Sequence, residues 1–578
     1  MNIRLILLAA LALNCTCRAV ETAAKASGKE VPDFALLDYK GRYYHLRQSD
    51  ARAVVLFFTG NGCPVARKGI PKLRHLQESF QPKGVDFWMI DSNSGDDPES
   101  IGKESWEFHS KPLPVLIDDA QGVAEAFGAN RTGTAVCIET TGWTTFYAGA
   151  IDDAVTEGGE KPVSENYLAN ALTQFLGGKP IENPKTSAHG CLISFGSKEA
   201  LSYTKDVAPI IQSKCFGCHS PGNIGPHKFV NYGKVQNLTD MIQEVLLSRR
   251  MPPWHADNRY GSFLNDSSLS IDEKRTLLRW IQQGAPRGEG EDPLASAVAP
   301  NHDWALGKPD AIIALPAVQE IPATGVLDYR HIKVQVPFDH DVWLKGLVAK
   351  PDNLRVVHHL IVRNMKGPKS DRQNADDNFL LGWAPGSPEM FYPEGTGKLI
   401  KKGSYLEFEM HYTTDGREEK DQSQIGLYFL SEPPKLVLKT RSAVDPDFQI
   451  NPEAEDHVTT ATYVCKKETI LYSMAPHMHL RGSWFKYEAL YPNGEKETLL
   501  SVPHYDFKWQ HTYALREPKH LPAGTWILCT GGFDNSKHNL NNPNPKMPIA
   551  WGDQSFNEMF IGFMTLAEVP DAKPVASK

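Results

Sequence analysis

The sequence is short of several things that would fix its class at once. It has no surplus of positive charge: 61 Lys and Arg stand against 69 Asp and Glu, a net charge of −8. That balance gives no support to a nucleic-acid binder, which needs a concentrated basic face. It has no short-period repeat and no low-complexity tract, and 41% of its residues are hydrophobic and 10% aromatic. A mostly disordered, collagen-like or coiled-coil chain is therefore excluded. Beyond its first residues it has no apolar run near the about 20 residues that cross a bilayer. What it does have is size and ligating side chains. At 578 residues it is too long for one core, and about 150 residues per domain gives about three to four domains. Its 20 His and nine Cys ask whether those residues are grouped.

The opening residues read as a signal peptide over 1–26. Arg4 leads into the apolar run Ile6–Leu13, and small residues follow at Ala19, Ala23, Ala24 and Ala26, where cleavage is expected. An uncleaved anchor is the alternative. A lipoprotein fits less well, because Asn14 precedes Cys15. The reading predicts an exported chain, secreted or periplasmic, with no membrane span after cleavage and with disulfides and covalent haem both permitted. Seven cysteines then remain, namely Cys63, Cys137, Cys191, Cys215, Cys218, Cys465 and Cys529. Being odd in number, they leave at least one free or joined to something other than a cysteine of this chain.

Three textures succeed one another. Over 27–182, buried strands at Ala53–Phe58, Val85–Ile90 and Thr134–Ile138 alternate with a helical stretch through Leu73 and Leu76, which predicts an α/β layered domain. Over 196–290 the apolar spacing turns helical, at Met241–Leu247 behind Asp240 and again at Glu273–Ile281. A polar, Gly- and Pro-rich stretch from Gly284 to Asp303 ends it. After residue 304 the period becomes two, as in Tyr405–Met410, and the rest is predicted all-β.

Cys215-Phe216-Gly217-Cys218-His219 has the spacing at which two thiols add to the vinyl groups of one covalent haem c and the adjacent imidazole reaches the iron. A disulfide or a zinc site are the other readings, and zinc needs two further ligands at matching spacing. Met251, 32 residues on, is the candidate sixth ligand, with His255 competing. The segment resembles a small cytochrome c domain, which implies an all-α fold over 196–290.

In the β half His358 and His359 are adjacent, His411 follows, and His477 and His479 are separated by one residue. Residues i and i+2 of a strand share a face, so His477 and His479 are able to ligate one metal together, whereas His358 and His359 need a bulge or a strand end. Imidazoles with a thioether suit copper better than a hard cation. The other reading is a set of structural histidines in a sandwich, and His457, His504, His511 and His538 read as ordinary surface or supporting residues.

These five histidines, with Met559 in Asn557-Glu558-Met559-Phe560, resemble the ascorbate-dependent type II copper monooxygenases, the group of peptidylglycine and dopamine β-monooxygenases. The resemblance covers about 304–570. It implies two all-β sandwich domains, 304–440 and 441–570, and two coppers. One, for electron transfer, would sit on His358, His359 and His411; the other, which meets O2, on His477, His479 and Met559, the catalytic set. It also implies an open cleft between the two metals. The family's Met is usually followed by Cys, but Phe560 stands here, so Cys529 lacks its usual partner and a Cys465–Cys529 pair is the alternative. Nothing matches the family's peptide-carboxylate or catecholamine recognition groups, so neither substrate carries over.

Cys63, in Gly62-Cys63-Pro64, follows a buried strand at an expected helix N-terminus, where the dipole and Arg67 or Lys68 are expected to lower its pKa. The layout resembles the thioredoxin/peroxiredoxin-like fold. Ala66 breaks the Cys-X-X-Cys pair, Thr132-Gly133-Thr134 stands where a cis-proline is usual, and Thr59 is one residue too far for the peroxiredoxin spacing. Cys63 is thus a possible redox thiol or an inert buried one, and Cys191 is a candidate resolving partner. The expected whole is a multidomain exported oxidoreductase. It would hydroxylate a C–H bond of an organic substrate with O2, using electrons from a small-molecule or protein donor passed through haem c and copper. The alternative is a non-catalytic electron-transfer or copper-binding protein with a thioredoxin-like sensing domain.

Overall fold

The computed structural model describes residues 30–570 apart from 109–112, 157–158, 196–198, 299–303, 305, 326, 369–377, 385–388 and 390. The expected signal peptide lies outside the described residues. A hairpin of Ala35–Leu37 (β1) and Tyr43–His45 (β2) leads to Ala53–Thr59 (β3), apolar but for its last residue and buried at every position. Then come Pro64–Phe80 (α1), Val85–Asp91 (β4), Pro98–Glu107 (α2), Val115–Ile117 (β5), Gly122–Ala126 (α3), Ala135–Glu139 (β6), Thr144–Gly149 (β7) and Tyr167–Leu176 (α4). One sheet has the order β5-β4-β3-β6-β7, parallel from β5 to β3 and antiparallel at β6 and β7. Strand alternation sorts the core: Val55 and Phe57 pack with Ile70, Leu73, Leu168 and Leu172, while Val54, Leu56 and Phe58 face the other way. This is a thioredoxin-like α/β domain.

The second face of that sheet is covered largely by the helical stretch from Tyr203 to Gln282. It holds Ala208–Lys214 (α5), Phe216–His219 (α6), Tyr232–Gln236 (α7), Thr239–Leu247 (α8) and Ile271–Gln282 (α9). Ser270 and Glu273 close a reciprocal capping box at the start of α9. Tyr203, Ile211, Phe216, Leu247, Leu277 and Trp280 belong to the same buried cluster as Val54, Leu56 and Phe58. Arg279 meets Glu125 at 3.3 Å, and Arg275 donates to the carbonyl of Asp119 at 2.9 Å. The expected helices are present, but their apolar face is continuous with the sheet and does not close on itself.

The remainder is mostly β. In the first sandwich, Arg330–Gln335, Tyr405–Tyr412, Val357–Met365 and Phe379–Trp383 form one sheet in that order, facing a five-stranded sheet centred on Val342–Lys350 across an apolar core. The second begins at Lys439–Val444 and packs two four-stranded sheets around Leu471, Met474, Phe485, Tyr487 and Phe533. Lys398, buried, ties the two by donating to the carbonyl of Phe379 at 2.8 Å and to Thr440 Oγ1 at 3.1 Å. Between α8 and α9 the chain leaves the helical layer and inserts Trp254 and Phe263 into the second sandwich's core, beside Tyr513.

The alternative Cys465–Cys529 pair does not form. Cys529 stands opposite Ala461, and Cys465 lies four residues further on, roughly 13 Å away at the rise of a strand, well past the about 7 Å limit for bridging. Both are free and buried, as thiols of a packed core. Among the described residues no helix is long and apolar enough to cross a membrane.

Candidate functional site

The structure brings the first three histidines together. Val357–Met365 pairs antiparallel with Tyr405–Tyr412, and the register shifts between Val357 and His359, which sets His359 directly opposite His411. That irregularity is the bulge the adjacent pair requires, and it turns His358 to the same side. Ring centroids lie 5.3 Å apart for His358 and His359, 4.9 Å for His358 and His411, and 4.8 Å for His359 and His411. One nitrogen of each falls within 4.8 Å of the others. Two Nδ1 atoms, of His358 and His359, are 3.1 Å apart, and His411 Nδ1 is buried with no hydrogen-bond partner among the described residues. An unpartnered ring nitrogen beside two others in close contact is an arrangement that one shared cation satisfies once all three present lone pairs. Burial holds His358 down to about 4 and His411 down to about 3, so these imidazoles are neutral and free to ligate at pH 7. Tyr329 packs edge-on to both His359 and His411, its own hydroxyl unpaired among the described residues.

The second group is built differently from expectation. His477 ends the strand Thr469–His477, and His479 lies beyond it. The turn after the strand, rather than the pleat, brings the rings to 5.2 Å. His477 Nδ1–H donates to Gln510 Oε1 at 2.6 Å and His479 Nδ1–H to the carbonyl of Asn557 at 3.3 Å, which leaves each Nε2 as the ligating lone pair. The turn is gripped from behind. The carboxylate of Glu558 accepts the backbone N–H groups of His479 at 2.7 Å and of Arg481 at 2.6 Å, and Tyr505 hydrogen-bonds both the N–H and the carbonyl of Met478. Met559, half-buried, is the next residue after Glu558.

One ring touches both groups: Phe507 stacks on His358 at 5.6 Å and meets His479 edge-on at 5.8 Å. A buried ion pair, Arg363 to Glu409 at 2.6 Å, acts on His477 from the first sandwich. Tyr329, Tyr505, Phe507, Gln510 and the role of Glu558 escaped the sequence reading. Only Glu558 had a signal, as the residue before Met559. His511 proves not to be a surface residue: it is buried between Trp254 and Tyr513, and its Nε2–H donates to the carbonyl of Pro253 at 2.5 Å. His538 pairs with Asp50 of the thioredoxin-like domain, and His457 packs at 6.4 Å from Phe533.

In the Cys-X-X-Cys-His turn, the N–H groups of Cys218 and His219 donate to the carbonyl of Cys215 at 3.2 and 2.9 Å, which winds both thiols and the imidazole around one helical turn. His219 Nδ1–H donates to the carbonyl of His227 at 2.7 Å, so Nε2 carries the lone pair, and its ring stacks on Phe229 at 4.7 Å. A side chain at Gly225 would come within 2.7 Å of His219 Nδ1, so only glycine admits this approach. These donors fit a covalent haem with an imidazole ligand. Met251 is half-buried just past α8, its N–H on the carbonyl of Val245 at 3.2 Å. His255, the competing ligand, packs against His504 of the second sandwich at 5.3 Å.

Cys63 caps α1 and is buried, 2.9 Å from Thr132 Oγ1. The exposed Cys191 does fold back to it, thiol to thiol. Burial pushes the Cys63 thiol up. The hydrogen bonds from Cys191, from Thr132 and from the Ala66 N–H together outweigh that and hold it below the ordinary value. The expected cations have other partners: Arg67 is paired with Glu104 at 2.7 Å and Lys68 with Glu160.

Known proteins resemble the N-terminal part. The model of the AhpC/TSA family matches residues 27–146. Thiol-disulfide oxidoreductase ResA of Geobacillus thermodenitrificans is 30% identical over 122 residues, 21% of this chain and 68% of the relative. Its namesake from Halalkalibacterium halodurans is 25% identical over 116 residues, 20% of this chain and 64% of the relative, so the match spans a little under two thirds of that protein. The crystal structure of an uncharacterized conserved protein from Geobacillus kaustophilus is 30% identical, covers 30% of this chain and 93% of its own, and has a TM-score of 0.28. Through its thioredoxin-like domain, the chain belongs to the AhpC/TSA family.

Proposed function

We propose that the chain is an exported oxidoreductase that uses a covalent haem c and two coppers to hydroxylate a C–H bond of an organic substrate with O2. The observation that carries this reading is the convergence of His358, His359 and His411 on one point, with His477 and His479 facing them across Phe507. The donor set, neutral imidazoles with the thioether of Met559 at the second group, suits copper. When bound, the metals supply one-electron chemistry and a place for O2 to react. The chain's own residues prepare the ligands: Gln510 and the Asn557 carbonyl fix the tautomers of His477 and His479, Glu558 and Tyr505 hold their turn, and the His227 carbonyl orients His219. The electron donor is a small molecule or a redox protein. The expected leader and the Cys-X-X-Cys-His turn support a place outside the cytoplasm.

A second reading, electron transfer without oxygenation, has one observation in its favour: an apolar ring, Phe507, packs against histidines of both groups. Metal analysis with visible spectroscopy separates the outcomes. One haem and two coppers per chain support the enzyme, and haem without copper refutes it. The Met559→Leu chain is expected to keep its haem absorbance and lose O2-dependent turnover. Hydroxylation retained after that change removes Met559 from the site. Stopped-flow mixing of the reduced protein with O2 tests the relay, which requires haem reoxidation to depend on His358 and His359.

A further inference from the structure

We infer that Cys63 and Cys191 form a reversible dithiol–disulfide couple, its second cysteine supplied by the segment leading out of the thioredoxin-like domain. The first turn of α1 cannot supply one, since Ala66 occupies the position. The segment Gly190–Ile193 instead lies antiparallel along Asn130–Thr132. Arg131 pairs with Leu192, the Thr132 N–H donates to the carbonyl of Cys191 at 2.9 Å, and the Ile193 N–H donates to that of Asn130 at 3.0 Å. The Arg131 guanidinium holds the carbonyl of Gly190 at 2.8 Å. A Cβ at Gly190 would lie 1.9 Å from the Thr132 carbonyl oxygen, so the close approach requires glycine. This antiparallel bridge, with the Arg131 guanidinium, lays Cys191 over Cys63.

The two sulfurs are unequal. Cys63 is buried and Cys191 exposed. Cys63 is held below the ordinary thiol value despite its burial, and Cys191 is raised, first by its hydrogen bond to Cys63. In the disulfide form an incoming thiolate therefore reaches Cys191, and the sulfur that leaves is the one the site stabilises as an anion. One thiolate of a dithiol attacks Cys191 Sγ, the Cys191–Cys63 bond breaks, and its electron pair departs on Cys63 Sγ. The second thiolate of the dithiol then attacks its own partner sulfur in the mixed disulfide and expels Cys191, which takes a proton from water. Two electrons have passed from the dithiol to the couple; of the two protons the dithiol gave up to water, Cys191 has taken one, and the other stays in solution while Cys63 remains a thiolate. Run backwards, the same steps reduce a disulfide. The couple uses neither haem nor copper, so it stands or falls apart from the monooxygenase reading.

The test uses the full chain. It is equilibrated over a series of ratios of reduced to oxidised dithiothreitol, quenched by alkylation and mapped by mass spectrometry. A peptide pair linked through Cys63 and Cys191 is expected at the oxidising end, giving way to two alkylated peptides as the ratio rises, while Cys137, Cys465 and Cys529 stay unlinked. Oxidised protein mixed briefly with reduced glutathione and acid-quenched is expected to carry the adduct on Cys191. Absence of the linked pair at every ratio, or linkage of either cysteine to another, overturns the couple; an adduct on Cys63 overturns the order of attack. Cys191→Ser is expected to abolish the reversible step at Cys63, and persistence of that step also overturns the assignment.

Discussion

His359 and His411 face each other directly across an antiparallel strand pair, 4.8 Å between ring centroids, and the register shift just before His359 brings His358 to the same side. Two residues of one cross-strand pair and a third admitted by a bulge make a three-nitrogen cup on a rigid sheet, where ligand geometry is held better than on a loop.

Replacing one wall of that cup should empty it alone. If the proposed two coppers and haem are bound, His411→Ala is expected to lower the copper content from two per chain to one and to leave the haem absorbance unchanged, read by metal analysis and visible spectra of the same sample. Two coppers retained would take His411 out of the ligand set.

Glu558 grips its turn through both oxygens. Glu558→Gln must point an amide NH2 at one of two backbone N–H donors. The expected cost is about 1–3 kcal/mol in denaturant unfolding, with copper affinity at the His477 group falling about 10–100-fold. The His358 group should bind as before, which separates a local effect from general damage.

Gly225→Ala is aimed at the Cys-X-X-Cys-His turn proposed to carry haem. The new methyl would crowd His219 Nδ1 at 2.7 Å and the Cys218 carbonyl at 2.8 Å. Covalent attachment through Cys215 and Cys218 should survive, seen as a normal pyridine haemochrome, while the visible spectrum of the native protein reports altered axial ligation. An unchanged spectrum would mean that His219 is not held as the structure shows.

Lys398 gives a prediction about pH. Burial lowers it from 10.5 to about 7 in the folded chain. Below pH 7 both states carry the proton, and the fold must bury a charge. Between about 7 and 10.5 the unfolded chain binds a proton that the folded chain has released, so stability rises with pH across that window. The stability difference between the native chain and Lys398→Met should therefore slope by on the order of 1 kcal/mol per pH unit there. A flat difference would show that Lys398 keeps its ordinary value.

Much of this was legible in the sequence because it is local. The runs at Ala53–Phe58 and Val85–Ile90 became β3 and β4 almost residue for residue, Met241–Leu247 fell within α8, and the His-His dipeptide announced the irregularity its strand needed. What escaped depends on pairs distant in the chain. Nothing in the period of 500–510 shows that Phe507 would stand between histidines about 150 residues and 28 residues upstream of it. The covered sheet face is another such case: apolar spacing in α8 and α9 says that each has a buried side, not which partner buries it. The Cys63 environment misled for the same reason, since Arg67 and Lys68 are near in sequence but spend their charge on Glu104 and Glu160.

Trp254 and Phe263 seat in one core while Leu247 and Trp280, on either side of them in the chain, seat in another. The helical region thus works as a double-ended key. It cannot be cut out, swapped for a relative, or expressed on its own without stripping apolar surface from both neighbours. Partial proteolysis or truncation near residues 250–265 should accordingly loosen the N-terminal and C-terminal regions together, and the chain should melt as a unit where its domain count alone would suggest separate steps.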